Sequence, residues 1–505
     1  MTHKIIQWNC RGLKTNLNEL FILISNLLPA IICLQETFLK HDQTLNIKNF
    51  TQYNHINNTD QRASGGATIL IRNDIPQSEI KITTKLQAVA AQATLPKTTT
   101  ICSLYLPPNE TLNRVELDQL IHQLPKPFIL MGDFNCHGVT WGCQNTNKRG
   151  KIIEEFLDQN QLCCYNDGTN TYLHSATGTY SAIDLTICDP SIFMDYHWSV
   201  YEETCGSDHF PIILENQNPV RDSKTPRWNL QKADWQGFRD ACLTELTSEP
   251  DNGKEDILHF TNTLHKIAEQ NIPRTSTSSK FNNPWFNHDC RKAVRARRAA
   301  LRKFKNYPSK ENLETYKNNR AKARRTIKDA KQTSWREYVS KINASTKPKK
   351  VWDMVNKISG KNHKPPLKHI IHNGTKITNK REIAEHLAEN LSQTSSVKNQ
   401  KEKFQTIKKQ QEKRKINFQS DNTENYNEPF SIRELSDSLN KAHNTATGPD
   451  EIPYEFLKQL PTPSKEHLLR IFNHIWANGI IPNIWKQATQ ERRKSEDRYR
   501  GNDGN

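Results

Sequence analysis

Eight polar residues in the first 210 positions stand at or near the ends of apolar runs: Asn9, Glu36, Tyr105, Asp133, Asn135, Asp184, Asp208 and His209. Taken singly, each has an ordinary explanation. An Asn or Asp after a strand is a common turn residue, and a Tyr packs its ring while wetting its hydroxyl. An acid at the mouth of a buried strand, such as Glu36, needs a partner or a metal. Together they offer four carboxylates, two carboxamides, an imidazole and a phenol. Hard oxygen donors of this kind suit Mg²⁺ with retained waters, with Mn²⁺ as a substitute. The set suits hydrolysis of a phosphodiester, in which an ion offsets developing charge and a carboxylate orients or deprotonates water. No nucleophilic Ser or Cys stands beside a base, and no P-loop is present.

The elements that must position these groups read as alternating strands and helices. Phe128–Met131 is a short apolar run that delivers Asp133 and Asn135, which on one extended segment would point the same way. Strands are predicted at 5–8, 30–34, 64–71, 99–105 and 180–188, with Asp208-His209 just before a closing strand that ends at 214, and helices at 17–28, 110–124 and 150–161. That order is α/β, and in an α/β sandwich the strand ends converge on one edge, where ligands bind.

Charge divides the chain. Residues 1–220 carry 15 basic and 21 acidic side chains, net −6, leaving residues 221–505 with 56 basic and 33 acidic, net +23. An acidic, packing-rich part followed by a strongly basic one points to a polyanion as partner, nucleic acid first. The eleven cysteines show no zinc-type spacing, which fits a reduced, intracellular protein. No signal-peptide pattern or membrane-length apolar run occurs, so no membrane partner is expected.

Trp8-Asn9-x-Arg11-Gly12, Gln35-Glu36-Thr37, Leu104-Tyr105, Gly132-Asp133-Phe134-Asn135, Ser181-x-Ile183-Asp184 and Ser207-Asp208-His209 occur in an order that resembles the endonuclease/exonuclease/phosphatase superfamily. The likeness is to the apurinic-endonuclease-like enzymes of non-LTR (LINE- or jockey-type) retrotransposons. It implies a four-layer α/β sandwich of two face-to-face sheets over residues 1–218. It implies Glu36 as the main Mg²⁺ ligand, with Asn9 and Asp208 near the metal. Asp133 would orient or activate water, Asn135 hold the scissile phosphate and Tyr105 contact it. His209, oriented by Asp184, would stabilise the phosphate or the attacking group. Arg11 stands where apurinic endonucleases carry an Asp, as is usual in the retrotransposon branch, which argues against a second metal.

The rest of the chain agrees with that resemblance. Pro226-Arg227-Trp228-Asn229 and Asn283-Pro284-Trp285-Phe286 resemble the linker of these elements, within a helical, Lys/Arg-rich region assigned to 219–428. Its basic stretch at 291–350 would meet phosphates, the element's RNA among them, and 390–427 reads as a flexible polar linker. Residues 429–486 resemble the opening of a reverse transcriptase, and 487–505 read as a disordered tail. The paired-aspartate palm motif is absent from the sequence, so a truncated polymerase without reverse transcription is expected. The implied activity is Mg²⁺-dependent nicking of target DNA, in the nucleus, leaving a 3′-hydroxyl primer. The alternative is a catalytically decayed product that binds nucleic acid through its basic part.

Overall fold

The computed structural model describes residues 3–40, 47–57, 63–95, 97–217, 227–246, 256–275, 283–343, 348–359, 380–394, 399–414, 428–443 and 450–479, with a few shorter pieces between them and beyond them. The described chain forms two compact units, Met1–Asp222 with Lys280–His386, and Ser223–Ser279 with Leu387–Asn505.

The first unit is built on two six-stranded sheets. Its elements are β1 (Lys4–Asn9), α1 (Leu13–Leu27), β2 (Ile31–Gln35), β3 (Phe50–His55), β4 (Ala67–Arg72), β5 (Gln77–Ile80), β6 (Gln87–Leu95) and β7 (Lys97–Tyr105). They continue with α2 (Arg114–His122), β8 (Phe128–Asp133), α3 (Lys148–Gln159), β9 (Cys163–Cys164), β10 (Tyr172–Leu173), β11 (Tyr180–Ser181), β12 (Asp184–Cys188), β13 (Tyr196–Val200) and β14 (Ile212–Asn216). One sheet runs β13-β14-β1-β2-β4-β3 and the other β5-β6-β7-β8-β12-β9. Each contains one parallel pair, β1–β2 and β7–β8, and in each the crossover includes a helix, α1 or α2. Parallel pairing aligns carboxyl ends, so Asn9 lies opposite Gln35 and Tyr105 opposite Asp133. Antiparallel β12 then brings Asp184 opposite Asp133.

Alternation within the strands sorts side chains into layers. Ile5, Cys33, Ile69, Ala91, Ile101, Ile129 and Met131 fill the space between the sheets. On one outer face Ile6, Trp8, Ile32 and Leu70 pack against Leu20 and Leu23 of α1. On the other, Cys102, Leu104 and Leu130 pack against α2 and α3 through Leu117, Leu120, Ile153 and Phe156. Helix, sheet, sheet and helix make the four layers. At the functional edge the inter-sheet seam turns polar: Gln7 Nε2 donates to Gly132 O at 2.7 Å and Gln35 Nε2 to Ser103 Oγ at 2.9 Å.

The unit boundaries differ from those expected at 218/219 and 428/429. Two helices from the basic region, α6 (His288–Asn306) and α7 (Lys310–Val339), belong to the first unit. Trp285, Cys290, Val294 and Ile327 join the α1 cluster, and Leu301, Phe304, Leu313 and Tyr316 close over Leu173 and Phe210. An amphipathic hairpin with its own apolar stripe packs rather than links. The intervening α4 (Trp235–Glu245) and α5 (Asp256–Asn271) belong to the second unit.

After α8 (Pro348–Ser359) and α9 (Lys380–Thr394), α10 (Glu402–Glu412) puts helix into the segment expected to be a flexible linker, of which 415–427 lie outside the described residues. In the second unit α11 (Ile432–Lys441), α12 (Tyr454–Gln459) and α13 (Thr462–Asn478) follow. Phe238, Phe260, Leu264, Phe456 and Leu468 form its core. There the Trp228 indole donates to Glu451 O at 3.0 Å, so the linker-like and polymerase-like motifs meet. Phe430, Phe472, Trp476, Ile481 and Trp485 line an open apolar cleft of about 600 Å³. The tail at 487–505 lies outside the described residues.

Candidate active site

The eight residues named from sequence are brought to one edge of the sandwich, where side-chain hydrogen bonds join Asn9 to Glu36 and Asp133 and, separately, His209 to Asp184. Asn9 is fully buried at the end of β1, and its Nδ2 donates to Glu36 Oε1 at 3.0 Å and to Asp133 Oδ2 at 2.8 Å. Tyr105, at the end of β7, stands near Glu36, whose charge helps raise its pKa. On the far side of Asp133, His209 Nε2 stands 3.9 Å from Oδ2, while its Nδ1 meets Asp184 Oδ2 at 2.8 Å. Asp208 is held by Arg11 and by Ser207 Oγ, the latter at 3.3 Å.

Asp133 and Asn135 do not share an extended segment. The strand β8 ends at Asp133, and Asn135 turns left-handed at φ 47° with its amide N–H on Asp133 Oδ1 at 3.0 Å. The Asn135 side chain donates to Leu106 O at 3.1 Å. Glu36 (φ 47°) and Arg11 (φ 46°) are also left-handed, a costly conformation for non-glycine residues that collects at functional sites.

Burial dominates the electrostatics. It pushes the Asp133 carboxyl up to about 7, Asp184 and Glu36 adding to the rise while His209 and Asn9 oppose it. Burial alone would push the His209 imidazole down. The charge and hydrogen bond of Asp184, helped by Asp133 and Asp208, outweigh it and carry His209 up to about 10. The Tyr105 hydroxyl is pushed up by burial and then by Glu36 and Asp133, so it stays a donor.

Ligand-type atoms of Asp133, Asp184 and His209 lie within 4.8 Å of one another, a group that could hold an ion. His209 sits between the Asp133 and Asp184 carboxylates, which favour its protonated form. Four carboxylates gather at this edge with one half-exposed guanidinium, Arg11, and one imidazole. Asn9 Oδ1 accepts from Arg11 N at 3.1 Å, and Asp208 pairs with the Arg11 guanidinium.

Several site residues carry no signal of their role in the sequence. Arg11 stands out there only as a departure from the family pattern, and its partner is 197 residues away. Tyr172 pairs with His209 through an isolated β-bridge and leans over its ring at 4.7 Å. Thr171 Oγ1 takes the amides of Ile183 and Asp184, which breaks the expected 180–188 strand in two. Arg149, on α3, donates to the carbonyls of Leu106, Pro107, Glu110 and Phe134 and so ties together the loops that flank Asn135.

Residues 99–213 match a family model described as endonuclease-reverse transcriptase. The resemblance read from the motifs is borne out. The chain is 26% identical over 290 residues to the RNA-directed DNA polymerase from mobile element jockey of Drosophila funebris, covering 56% of this chain and 31% of that protein. It is 25% identical over 218 residues to a probable RNA-directed DNA polymerase from transposon X-element of Drosophila melanogaster, covering 42% of this chain and 24% of that protein. The chain thus spans less than a third of the length of these relatives. Among solved structures it is similar to the endonuclease domain of TRAS1, a telomere-specific non-LTR retrotransposon (22% identity, TM-score 0.38, 43% of this chain and 98% of that one). It is also similar to the AP endonuclease LMAP from Leishmania major (14% identity, TM-score 0.36, 43% and 88%). No helix among the described residues is long and apolar enough to cross a membrane.

Proposed function

We propose that the first unit is a Mg²⁺-dependent endonuclease that nicks duplex DNA and leaves a 3′-hydroxyl able to prime synthesis. What carries the reading is the continuous Glu36–Asn9–Asp133···His209–Asp184 constellation, with Tyr105 at its mouth. A carboxyl raised to about 7 is matched to general-base work near neutrality, so Asp133 takes a proton from water or orients it. His209, cationic and fixed by Asp184, stabilises charge on the scissile phosphate. Tyr105 donates to a phosphate oxygen, and Asn135 has a second amide hydrogen for the same task. Glu36, with Asn9 and Asp208 nearby, would hold Mg²⁺, which when bound supplies Lewis-acid stabilisation of the leaving oxygen.

The substrate duplex would meet the cations of the α6–α7 hairpin, where Arg291, Lys292, Arg295, Arg302 and Lys303 are exposed. Phosphate contact of this kind is sequence-tolerant, and element RNA could share it. Nicking of supercoiled plasmid by the full chain, with Mg²⁺ or with EDTA, tests the proposal beside Glu36→Ala and His209→Ala. Expected is Mg²⁺-dependent nicking, reduced at least about a hundredfold in each variant. A folded wild-type chain that binds DNA without nicking it would replace this reading by a decayed, binding-only one.

A further inference from the structure

The segment 203–210 delivers Asp208 and His209, and it is gripped from two sides. The nuclease core holds its middle: Ser207 Oγ donates to Asn9 O at 2.8 Å, Asp208 pairs with Arg11, and His209 pairs with Asp184. The hairpin holds the flanks. Arg297 of α6 has a side chain 1% exposed, and its guanidinium meets Glu19 Oε1 at 2.6 Å and Glu203 Oε2 at 3.1 Å, both carboxylates buried. Arg298 adds a contact to Glu203 Oε1 at 2.9 Å.

Thr204 Oγ1 bonds the Tyr316 hydroxyl at 3.0 Å, Arg320 donates to Gly206 O at 2.9 Å, and Phe210 packs among Leu301, Phe304 and Tyr316. Between these grips Cys205 is buried in a left-handed conformation (φ 51°), and Gly206 follows at φ 86°. A segment bent in that way persists only where its surroundings over-determine it. Here the hairpin supplies much of that determination.

We propose that the α6–α7 hairpin is a positioning element of the cleavage centre: through Arg297, Tyr316 and Arg320 it fixes the 203–210 segment so that Asp208 and His209 face Arg11 and Asp133. The inference rests on the nuclease reading above. None of the three touches the reacting atoms; each holds the flanks of the segment that carries Asp208 and His209. A centre held within about half an ångström by such supports loses rate when they loosen.

Removing Arg297 would strand two buried carboxylates and endanger folding. The test therefore uses the full chain with Tyr316→Phe, Arg320→Ala and both together, with Arg320→Lys as the conservative variant. Two quantities are read: plasmid nicking split into kcat and KM, and the alkylation rate of Cys205 relative to the core thiol Cys33, followed by peptide mass spectrometry. In the double variant the expected fall in kcat is about tenfold, the scale of losing one or two hydrogen bonds. KM stays within about twofold. Arg320→Lys keeps much of the wild-type kcat, since a lysine can still donate one hydrogen bond to Gly206 O. Cys205 alkylates faster in the double variant while Cys33 stays protected. A contact that served only DNA phosphates would move KM instead, and Tyr316→Phe would then do nothing. Full kcat in the double variant, or unchanged Cys205 alkylation, overturns the inference alone. Absence of nicking by the wild-type chain fails the nuclease reading and the inference with it.

Discussion

At the scale of single residues, Asp133 sets a conflict between activity and stability. Its carboxyl is raised from 3.8 to about 7 by burial, and His209 is raised from 6.5 to about 10 by Asp184 against the opposing effect of burial. Both groups bind a proton more tightly when folded, so each makes stability fall as pH rises. The share of Asp133 is lost between about pH 4 and 7, and that of His209 from about pH 6.5 to 10. Asp133→Asn should therefore abolish nicking yet stabilise the first unit by about 2 kcal/mol at pH 8, with little difference at pH 4. Urea midpoints at the two pH values read this directly, and a variant less stable at pH 8 would refute it. Residue type makes this site legible: acids and amides at the ends of apolar runs are conspicuous. Arg11 and Tyr172 are not, because an Arg with a distant partner and a Tyr over an imidazole look like any surface Arg and any packed Tyr.

At the scale of elements, two parallel pairs do the aligning, and the tightest place in them is Gly132. A Cβ there would stand 2.1 Å from Leu104 O, backbone against backbone, one residue before Asp133. Gly132→Ala should destabilise by about 3 kcal/mol, the cost of overpacking where nothing flexible can yield. It should also reduce nicking at temperatures where the fold survives; thermal melts and rates on one preparation separate the two effects. The strands that carry the site are readable because their apolar runs are short and bounded. Phe50–His55 and Gln87–Leu95 are not, since the first is mostly polar and the second is alanine-rich with little β-branching. The 291–332 stretch reads correctly as helical, but periodicity cannot say what a stripe packs against. The Arg297–Glu19 contact spans 278 residues and leaves no local trace.

At the scale of the whole molecule, charge and connectivity matter most. With a net of +23 behind residue 220, duplex binding by the full chain should weaken about tenfold or more between roughly 50 and 200 mM salt. Fluorescence anisotropy over a salt series checks this, and a flat response would remove the basic region from the interface. The charge asymmetry is plain in the sequence. The division into units is not, because the first unit takes residues from both sides of an intervening segment and is joined by contacts between residues far apart in sequence.

That discontinuity bears on how the protein is made. When residue 222 leaves the ribosome, the two sheets are complete but their helical cover is not. Glu19 and Glu203 then face water with no counter-ion, and Phe210 and Cys205 lack the hairpin partners that later bury them. Roughly another 120 residues must be translated before α7 is out, about 6 to 24 s at ordinary elongation rates. Throughout that interval the nascent chain leaves apolar and acidic side chains uncovered that the hairpin later buries. On the proposed reading, the site would be complete only once the basic hairpin has itself been synthesised.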